Sequence, residues 1–356
     1  MQTCDGLLID LRCPNDMTAI KLYTFTGAGN NFVVLDGREA DMSPYRQPAR
    51  ITELCRKYST DGLMILSLPD APGPDFVMDF FNPDGSGGMM CGNGGRCIVA
   101  FADYLGLKPA SPDGTWHFLA PDGMHEAKIL DRGIASGGTP FASLTPAPPT
   151  VCRSGDQASL SPSRHPAGPS PYPCPGVDMS SGGNTPVQKW TVCLKMIDVE
   201  GVTPVKDGYF LNTGTRHYVQ FVKDVDSIDM EAEAKPIRWD AVFQPEGTNV
   251  NFVQVTPEGL KVRTYEKGVE GETLACGTGI TASAIAARFA GIPDQGGDDG
   301  PGSDEAHHAR PRPGISYRLQ CRRGDWLTVK FTPIGLGYKD VYLTGPAELL
   351  PLNGNN

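Results

Sequence analysis

The chain has 356 residues, of which 39% are hydrophobic and 20% are charged, a composition that fits a folded globular protein long enough for two domains. Its formal net charge of −10 argues against nucleic acid as a main partner, because phosphate backbones are bound by basic surfaces. No apolar run reaches the roughly 20 residues that a membrane span needs, and the N-terminus does not resemble a signal peptide. We therefore expect no membrane partner, and a cytoplasmic location by default.

The pattern of apolar residues predicts short strands and a few helices. Residues 1–18 are predicted to form a loosely attached leader. Beyond it, apolar runs bounded by Gly, Asn, Asp and Pro predict strands at FVVLD, LMILSL, FVMDFF, WTVCLKMI, HYVQFV, NVNFVQV, LKVRTY and WLTVKF. Helices are predicted at PARITELCRKYS and in the runs that follow Cys91 and Cys276.

Two polar stretches interrupt this pattern. Residues 135–186 are rich in Pro, Ser and Gly and lie between the strand-like runs HEAKIL and WTVCLKMI, so we predict a disordered loop inserted at a hairpin tip. Residues 294–314 form a shorter insertion of similar composition. Its His307–His308 pair is predicted to lie in a solvated loop and not to bind a metal.

An internal repeat divides the chain into two similar halves. FTGAGNNFVVLD resembles NTGTRHYVQFVKD, and CGNGGRCIVAFADYLG resembles CGTGITASAIAARFAG at nearly the same separation along the chain. The predicted halves are residues 19–197 and 198–345, followed by a C-terminal tail at 346–356. Like parts of the two halves are expected to face each other across a cleft, which would bring Cys91 and Cys276 together.

Two of the ten cysteines stand out from the rest. The chain has no C-x-x-C pair and no zinc-type spacing with histidine, so most of its cysteines are expected to be reduced and buried. Cys91 and Cys276 differ, because each precedes a glycine-rich helix start. The first amide N–H groups of a helix lack intrahelical partners and bind carboxylates readily. The same positive end is expected to lower the pKa of each thiol toward that of a usable general base.

A thiolate and a thiol on opposite faces of a carbon beside a carboxylate can invert that carbon. The thiolate removes a proton from one face while the thiol delivers one to the other. Amide groups around the carboxylate stabilise the negative charge that develops. The sequence therefore predicts racemisation or epimerisation without a cofactor. The competing interpretation is that both cysteines are small buried residues in tight turns, and their occurrence in both halves favours catalysis.

The same motifs resemble those of the diaminopimelate epimerase family. GAGNNF, FFNPDGSGGMMCGNGGR, GTNVNF and YEKGVEGETLACGTG carry the resemblance, which covers residues 19–346 apart from the two insertions. It implies an α/β (α+β) fold of two pseudo-symmetric domains, each a mainly antiparallel sheet curled around a central helix, with the active site in the cleft between them. It also implies conversion of LL- to meso-diaminopimelate in lysine and peptidoglycan precursor biosynthesis, without metal or pyridoxal phosphate. Some members are homodimers, so the resemblance leaves that assembly open.

The resemblance also implies roles for individual residues. Cys91 and Cys276 match the proton donor and acceptor, and His217 matches a supporting histidine near them. Glu266 matches the residue that receives the reacting ammonium group. The other substrate-binding matches are the helix-start residues Gly92, Asn93, Gly277 and Thr278, the asparagines Asn30, Asn82 and Asn249, and finally Thr215 and Lys267.

Three positions depart from the usual pattern of that family. Lys267 replaces an arginine, which keeps the positive charge for the distal carboxylate but loses the two-pronged geometry of a guanidinium. Thr215 replaces an asparagine and is followed by Arg216 instead of proline, so Arg216 either faces solvent or partly replaces the missing arginine. Gly62 replaces a binding glutamine, whose contact is expected to be absent or made by the backbone.

Three alternatives remain open on the sequence. A proline- or hydroxyproline-type racemase shares the acid–base mechanism with two thiols, but members of that group tend to carry a histidine where this chain has Asn93. A phenazine-type isomerase of the same fold lacks the cysteine pair. A non-catalytic binding protein would keep both thiols as buried or redox-paired residues. Titration of free thiols, with and without reductant, separates such a binding protein from an epimerase.

Overall fold

The computed structural model describes residues 20–88, 91–135, 187–294 and 314–351. The predicted leader, nearly all of both predicted insertions, the His307–His308 pair and the end of the predicted tail lie outside the described residues. None of the helices in the described ranges is long and apolar enough to cross a bilayer.

The first half of the described chain consists of strands around a buried helix. A short 3₁₀ helix, Ser43–Arg46, precedes its first α-helix. Its elements in chain order are β1 (Leu22–Gly27), β2 (Asn30–Asp36), α1 (Pro48–Tyr58), β3 (Gly62–Ser67), β4 (Phe76–Phe81), α2 (Gly92–Tyr104), β5 (Thr115–Ala120), β6 (Gly123–Ala135) and β7 (Val187–Lys195).

The second half repeats this arrangement with a second buried helix. Its short 3₁₀ helix, Ala241–Phe243, follows the first α-helix of this half instead of preceding it. Its elements are β8 (Thr203–Val205), β9 (Gly208–Asn212), β10 (Arg216–Val222), α3 (Met230–Arg238), β11 (Asn249–Thr256), β12 (Gly259–Glu266), β13 (Gly271–Thr273), α4 (Gly277–Phe289), β14 (Ile315–Gln320), β15 (Trp326–Ile334) and β16 (Gly337–Leu350).

The strand pairings of the two halves correspond one to one. β1 to β7 pair in chain order, and only the β2–β3 and β4–β5 pairs, which are connected through α1 and α2, are parallel. The series β9, β10, β11, β12, β14, β15, β16 pairs in the same way, with parallel β10–β11 and β12–β14 pairs connected through α3 and α4. Most pairs are antiparallel. The predicted fold class of two pseudo-symmetric, mainly antiparallel sheets is confirmed.

The last strand belongs to both halves. β16 pairs with β15 up to Thr344, then with β7 from Gly345, and finally with β1 through Glu348–Leu350. These last pairings close eight strands into a ring around α2. The predicted C-terminal tail at 346–356 therefore begins within a strand, because the backbone groups of residues 346–350 complete the ladder of the first half.

The two central helices are buried because most of their residues are small or apolar on every side, with Asn93 and Arg96 as the main polar exceptions in α2. Eleven consecutive residues of α2, from Gly92 to Ala102, are buried, and α4 is buried from Gly279 to Ala287. A helix that is apolar all round packs inside a protein and not at its surface. Both helices have 13 residues and begin directly after a cysteine. The fold thus places Cys91 and Cys276 at equivalent points of two equivalent halves.

Candidate active site

Cys91 and Cys276 are the N-cap residues of the two central helices. Both have extended backbone angles, φ −99° and ψ 149° for Cys91 and φ −127° and ψ 109° for Cys276. The Cys91 Sγ accepts a hydrogen bond of 3.1 Å from the Gly94 N–H, as the oxygen of a serine or aspartate does at other N-caps. The Cys276 Sγ lies 3.4 Å from the Thr278 hydroxyl. Both thiols are therefore held at the positive end of a helix.

The two helix starts touch at Gly92 and Gly277. A Cβ added to Gly277 would lie 3.3 Å from the Cα of Gly92 and 3.2 Å from Leu343 Cδ2. A Cβ added to Gly92 would lie 3.6 Å from the Cα of Gly277. The glycines let two helix N-termini approach backbone to backbone. Amide N–H groups of both helices consequently face one small region, where a single carboxylate can be bound from two sides.

Both thiols are protonated at neutral pH in the absence of substrate. Desolvation raises the pKa of Cys91 to about 11, although the Gly94 N–H acts in the opposite direction. Desolvation, followed by the charge of Glu266, raises the pKa of Cys276 well above its ordinary value. The expectation that the helix starts lower both pKa values is wrong for this state, because removal from water outweighs the hydrogen bonds that stabilise a thiolate.

On the α2 side, Asn93 connects the two halves. Its Nδ2 donates to Asn30 Oδ1 at 2.5 Å and to the carbonyl of Ala275 at 3.4 Å. Its Oδ1 accepts from the Arg96 guanidinium at 2.7 Å. The Asn93 side chain is thereby fixed between the β1–β2 turn and the residue before Cys276, with Asn30 beside it.

On the α4 side, three polar side chains meet at the start of the helix. The Nε2 of His217 lies 3.0 Å from Thr278 Oγ1 and 2.9 Å from Thr215 Oγ1, and the two hydroxyl oxygens are 3.0 Å apart. Desolvation lowers the pKa of the fully buried His217 to about 3, so its imidazole is neutral at physiological pH. The histidine thus contacts Cys276 through the hydroxyl of Thr278.

Asn251 fixes the tautomer of this histidine. The Asn251 Nδ2 donates to the backbone carbonyl of Tyr218 at 3.0 Å, which sets the orientation of the amide, and also contacts His217 Nδ1 at 3.0 Å. Because Nδ1 must then accept, the proton of the neutral ring lies on Nε2 and is donated toward the threonine hydroxyls. The Thr278 hydroxyl is left free to donate to the Cys276 sulfur.

Glu266 is a carboxylate that acts on both thiols. Its Oε1 accepts a 2.5 Å hydrogen bond from Thr273 Oγ1. Desolvation raises the pKa of Glu266, while its interactions with Thr273 and with the thiol of Cys276 act to lower it. The charge of Glu266 contributes to the raised pKa of Cys91 as well as that of Cys276. One acidic side chain therefore acts on both thiols.

The remaining predicted binding residues lie around this centre. Asn249 is buried, donates to Thr215 Oγ1 at 3.3 Å and to the carbonyl of Arg216 at 3.1 Å, and accepts from the backbone N–H of Lys267 at 2.8 Å. Asn82 lies in the turn after β4, where its Nδ2 donates to Ser86 Oγ at 3.0 Å. Asn249 and Lys267 are directly connected to the α4 side, whereas the bonds of Asn82 are local to its own turn.

The structure accounts for two of the unusual positions. Arg216 forms an ion pair with Glu246, and its guanidinium lies 5.0 Å from the centre of the Phe210 ring. Arg216 is thus engaged with the protein and not with a binding site. A Cβ added to Gly62 would lie 2.9 Å from the carbonyl oxygen of Phe81, so β3 has no room for a side chain at this position.

Sequence reasoning missed several residues that complete the site. Arg96 and Asn251 orient Asn93 and His217, and Thr273 holds Glu266. Asn251 follows Asn249 by two positions in the same strand, so alternation along β11 could have placed both side chains on one face. Among the described residues, no three His, Cys, Asp or Glu side chains are grouped as a metal ion would require.

Comparisons with known proteins agree with the motifs. A family model described as diaminopimelate epimerase matches residues 209–296. The diaminopimelate epimerase of Flavobacterium psychrophilum is 31% identical over 336 residues, which cover 93% of this chain and 98% of that protein. The chain belongs to the diaminopimelate epimerase family. The resemblance predicted from the motifs is thereby confirmed.

Other members of the diaminopimelate epimerase family come from distant organisms. The Aquifex aeolicus diaminopimelate epimerase is 31% identical over 336 residues, covering 92% of this chain and 94% of that protein. The enzyme of that name from Methanocella arvoryzae is 33% identical over 278 residues, covering 77% and 84%. The fold is also similar to that of a protein with little sequence identity. The phenazine biosynthesis protein of the PhzF family from Bacillus anthracis superposes with a TM-score of 0.54 at 10% identity, and the superposition covers 93% of this chain and 96% of that one.

Proposed function

We propose that this protein is a cofactor-independent epimerase that converts LL-2,6-diaminopimelate to meso-diaminopimelate, a step of lysine and peptidoglycan precursor biosynthesis. The proposal is carried by one observation: Cys91 and Cys276 cap two central helices whose first residues, Gly92 and Gly277, are in contact. Family membership supports diaminopimelate as the substrate, since relatives covering most of this chain carry that name.

In the proposed reaction, one cysteine acts as base and the other as acid. A thiolate removes the α-proton from one face of the substrate, and the opposing thiol delivers a proton to the other face. The second sulfur is then the thiolate, so the reverse direction uses the same two groups with exchanged roles. One S–H bond forms as the other breaks, no carbon–sulfur bond is made, and the α-carbon changes only its configuration.

The substrate's reacting carboxylate would bind where the two helices meet. Amides of Gly92, Asn93, Gly277 and Thr278 lie in the first turns of α2 and α4, where N–H groups have no intrahelical acceptor. Hydrogen bonds from these amides to the carboxylate become stronger as proton removal transfers negative charge onto it. This stabilises the carbanion-like transition state relative to the bound substrate.

The two ends of the substrate would be distinguished by charge. Glu266 would receive the reacting ammonium group, and Asn30, Asn82, Thr215, Asn249 and Lys267 would hold the distal end. Lys267 would supply a positive charge for the distal carboxylate. Its ammonium group lacks the two-pronged hydrogen-bonding geometry of an arginine. His217 would act through Thr278, supporting the Cys276 thiolate when the charge resides there.

Three broader features belong to the same proposal. The two halves, residues 19–197 and 198–345, would act as domains on either side of the cleft. A cytoplasmic location follows from the pathway in which the small-molecule substrate is made.

A homodimer is part of the proposal too, and light scattering on the purified protein tests it. Twice the monomer mass is expected, and a monomer would contradict this part of the proposal.

Chiral analysis of reaction products tests the function. Reduced protein is incubated with LL-diaminopimelate, and in parallel with L-proline and trans-4-hydroxy-L-proline. We expect the meso form to appear only with protein in which both cysteines are intact, and no inversion of either proline. Inversion of a proline without inversion of diaminopimelate would replace the proposal with the racemase alternative. Inversion of none of the three by folded, reduced protein would favour a binding role.

A further inference from the structure

Arg96 is a fully buried guanidinium with no carboxylate partner among the residues that the structure describes. It lies in the second turn of α2 and is 0% exposed. It donates to Asn93 Oδ1 at 2.7 Å, to the carbonyl of Gly92 at 3.2 Å and to the carbonyl of Pro346 at 3.3 Å. All three acceptors are neutral, and no ion pair to Arg96 occurs within the described ranges. A buried charge of this kind is costly unless a compensating charge forms beside it.

The ionisable groups around Arg96 are mostly thiols. Cys97, Cys91 and Cys321 interact with its charge most strongly, ahead of Asp325. Asp325 is already paired with Arg323, whose Nε lies 3.4 Å from its Oδ2. Desolvation lowers the pKa of Arg96, but a guanidinium stays charged under any physiological condition.

Of these three thiols, Cys91 is the one suited to carry a negative charge. Cys97 is 0% exposed, and desolvation raises its pKa far above the ordinary range. Cys321 is also buried, with its thiol directed at the carbonyl of Ala28 at 3.7 Å. Cys91 is less buried than either and already accepts a backbone N–H bond. A charge on Cys91 is thus the natural complement of Arg96.

The equivalent position in the second half carries no charge. Arg96 follows Gly92 by four positions, and Thr281 follows Gly277 by four. The Thr281 hydroxyl donates to the carbonyl of Gly277 at 2.9 Å, as Arg96 donates to that of Gly92. The two helix starts therefore share a side-chain bond to the carbonyl of their first glycine and differ by one full positive charge.

The second half adds a negative group instead. The negative charge of Glu266 beside Cys276 raises the pKa of that thiol and so favours its protonated form. Its charge is the second-largest cause of the raised pKa of Cys276 and a smaller cause for Cys91. Arg96 and Glu266 thus act in the same direction, favouring a charge on Cys91 over one on Cys276.

We propose that Arg96 is a positioning residue that makes Cys91 the first of the two thiols to ionise, so that Cys276 keeps its proton when the pair carries a single negative charge. The inference rests on the proposed two-cysteine chemistry, but it concerns the protein without substrate. It sets the order of ionisation before any substrate binds: Cys91 loses its proton more readily than Cys276, although both thiols carry a proton at neutral pH.

The pH dependence of alkylation tests this inference directly. Reduced full-length protein is treated briefly with iodoacetamide over a range of pH, and modification at Cys91 and Cys276 is quantified by peptide mass analysis. Only a thiolate reacts, so the midpoint of each rate profile reports ionisation even where access differs. We expect the midpoint of Cys91 to lie below that of Cys276. In Arg96→Met, the Cys91 midpoint should rise by about one pH unit, the lower end of the effect of losing a nearby opposite charge.

Two variants control for damage to the helix start. Thr281→Val removes the matching hydrogen bond in α4 and should leave the Cys91 midpoint unchanged. Arg96→Lys keeps the charge and should keep the midpoint near that of the native protein. If Arg96→Met does not fold, Arg96→Gln, which retains a donor for Asn93, takes its place.

Either of two results would overturn the inference. One is a Cys276 midpoint at or below that of Cys91 in the native protein, which needs no variant. The other is a Cys91 midpoint in the folded Arg96 variant within about 0.3 pH unit of the native value. Neither result depends on diaminopimelate, so an inactive protein could still support the inference and an active one could still contradict it.

Discussion

Glu266 has a different effect on the thiols before and after a substrate binds. In the free protein its charge contributes to the raised pKa values of Cys91 and Cys276. An ammonium group bound to Glu266 would neutralise that contribution, and the bound group would make the region around both sulfurs more positive. Substrate binding would thus lower the pKa of the base at the moment when the base is needed.

Single cysteine substitutions test the roles of the two sulfurs. Cys91→Ser and Cys276→Ser should each lower kcat by a factor of about 100 or more, because a serine hydroxyl is a far weaker acid than a thiol and general acid–base catalysis contributes about that much. Cys193→Ser, at a half-buried cysteine of β7, is the matched control and should keep native turnover. Turnover within a few-fold of native in either site variant would contradict the proposed roles.

His217 should make the stability of the protein depend on pH. The histidine titrates at about 6.5 in the unfolded chain, whereas burial lowers its pKa to about 3 in the folded protein, so the unfolded state binds more protons between these values. The stabilising contribution of neutral His217 is complete above pH 6.5 and is lost as the pH falls toward 3. The free energy of unfolding should therefore fall by about 2 kcal/mol between pH 7 and pH 5 from this group alone.

Urea unfolding of native protein and His217→Gln at pH 7, 6 and 5 measures this effect. The variant should be less stable at pH 7 and should show a flatter pH dependence. Equal slopes in the two proteins would mean that His217 is not buried in its neutral form.

Individual site residues were predictable from the sequence only where they lie in a recognisable motif. Cys91, Cys276 and Glu266 lie in motifs that are recognisable in the sequence, and the structure brings the three residues together. The pKa values of the thiols were not predictable, because they depend on desolvation by residues distant in sequence. Arg96 was missed for the same reason: a buried arginine without an acid partner cannot be recognised until its surroundings are known.

At the level of elements, the contact between α2 and α4 is the feature on which the site depends. Both helices begin with glycine, and no larger residue fits at the contact without separating the two helix starts. The interaction requires sub-ångström placement, since a displacement of about 1 Å of catalytic groups can cost a factor of 100 in rate.

Gly277→Ala tests this contact. Its Cβ would lie 3.3 Å from the Cα of Gly92, so one helix start must shift by a few tenths of an ångström. We expect kcat/KM to fall about tenfold or more while the melting temperature changes by only a few degrees. Gly133→Ala, at a position in β6 with no atom within 4 Å of the added Cβ, should change neither quantity. Native kcat/KM in Gly277→Ala would show that the helix starts need not touch.

Element prediction succeeded for strands and failed for one helix. Each of the eight quoted strand runs corresponds to a strand, although LMILSL and WTVCLKMI extend one and two residues past its end, and the three predicted helices correspond to α1, α2 and α4. α3 was missed because it has nine residues and contains Pro236, which removes a backbone donor. Its start is nevertheless marked by Asp229, which caps the N–H groups of Glu231 and Ala232.

For the whole molecule, the repeat was visible in the sequence but the shared strand was not. Matching motifs predicted two similar halves, and the one-to-one strand pairings confirm that similarity. Nothing in the sequence near Pro346 indicated that the chain returns to the first half, because strand pairing over more than 300 residues leaves no local signal. The predicted tail was wrong at that end for this reason.

Truncation tests the closing role of the last strand. A chain ending at Gly345 loses the pairings of β16 with β1 and most of those with β7, and it removes the carbonyl of Pro346 that accepts from Arg96. We expect this chain to be insoluble or unfolded by circular dichroism. A chain ending at Pro351 keeps every described pairing and should fold and melt as the full-length protein does. A stable, cooperative fold after truncation at Gly345 would contradict the closed ring.

Replacement of the long insertion tests whether catalysis needs it. Ala135 and Val187 are paired across the β6–β7 ladder, so residues 136–186 connect two points that already lie opposite each other. An Asn-Gly turn in place of these residues suits a two-residue hairpin connection. We expect native kcat/KM and a melting temperature within a few degrees of native. Loss of activity in a folded variant would show that the insertion contributes to the site or to an assembly contact.

The most direct test of the two-cysteine mechanism is the early fate of solvent deuterium. LL-diaminopimelate is incubated with the reduced protein in deuterium oxide, and both isomers are separated and analysed by mass within the first few per cent of conversion. Two opposed bases predict meso product with one deuterium at the inverted α-carbon, while the remaining LL substrate stays unlabelled. Deuterium in the unreacted LL isomer at the same rate as in the product would mean that one base serves both faces. That result would contradict the roles proposed for Cys91 and Cys276.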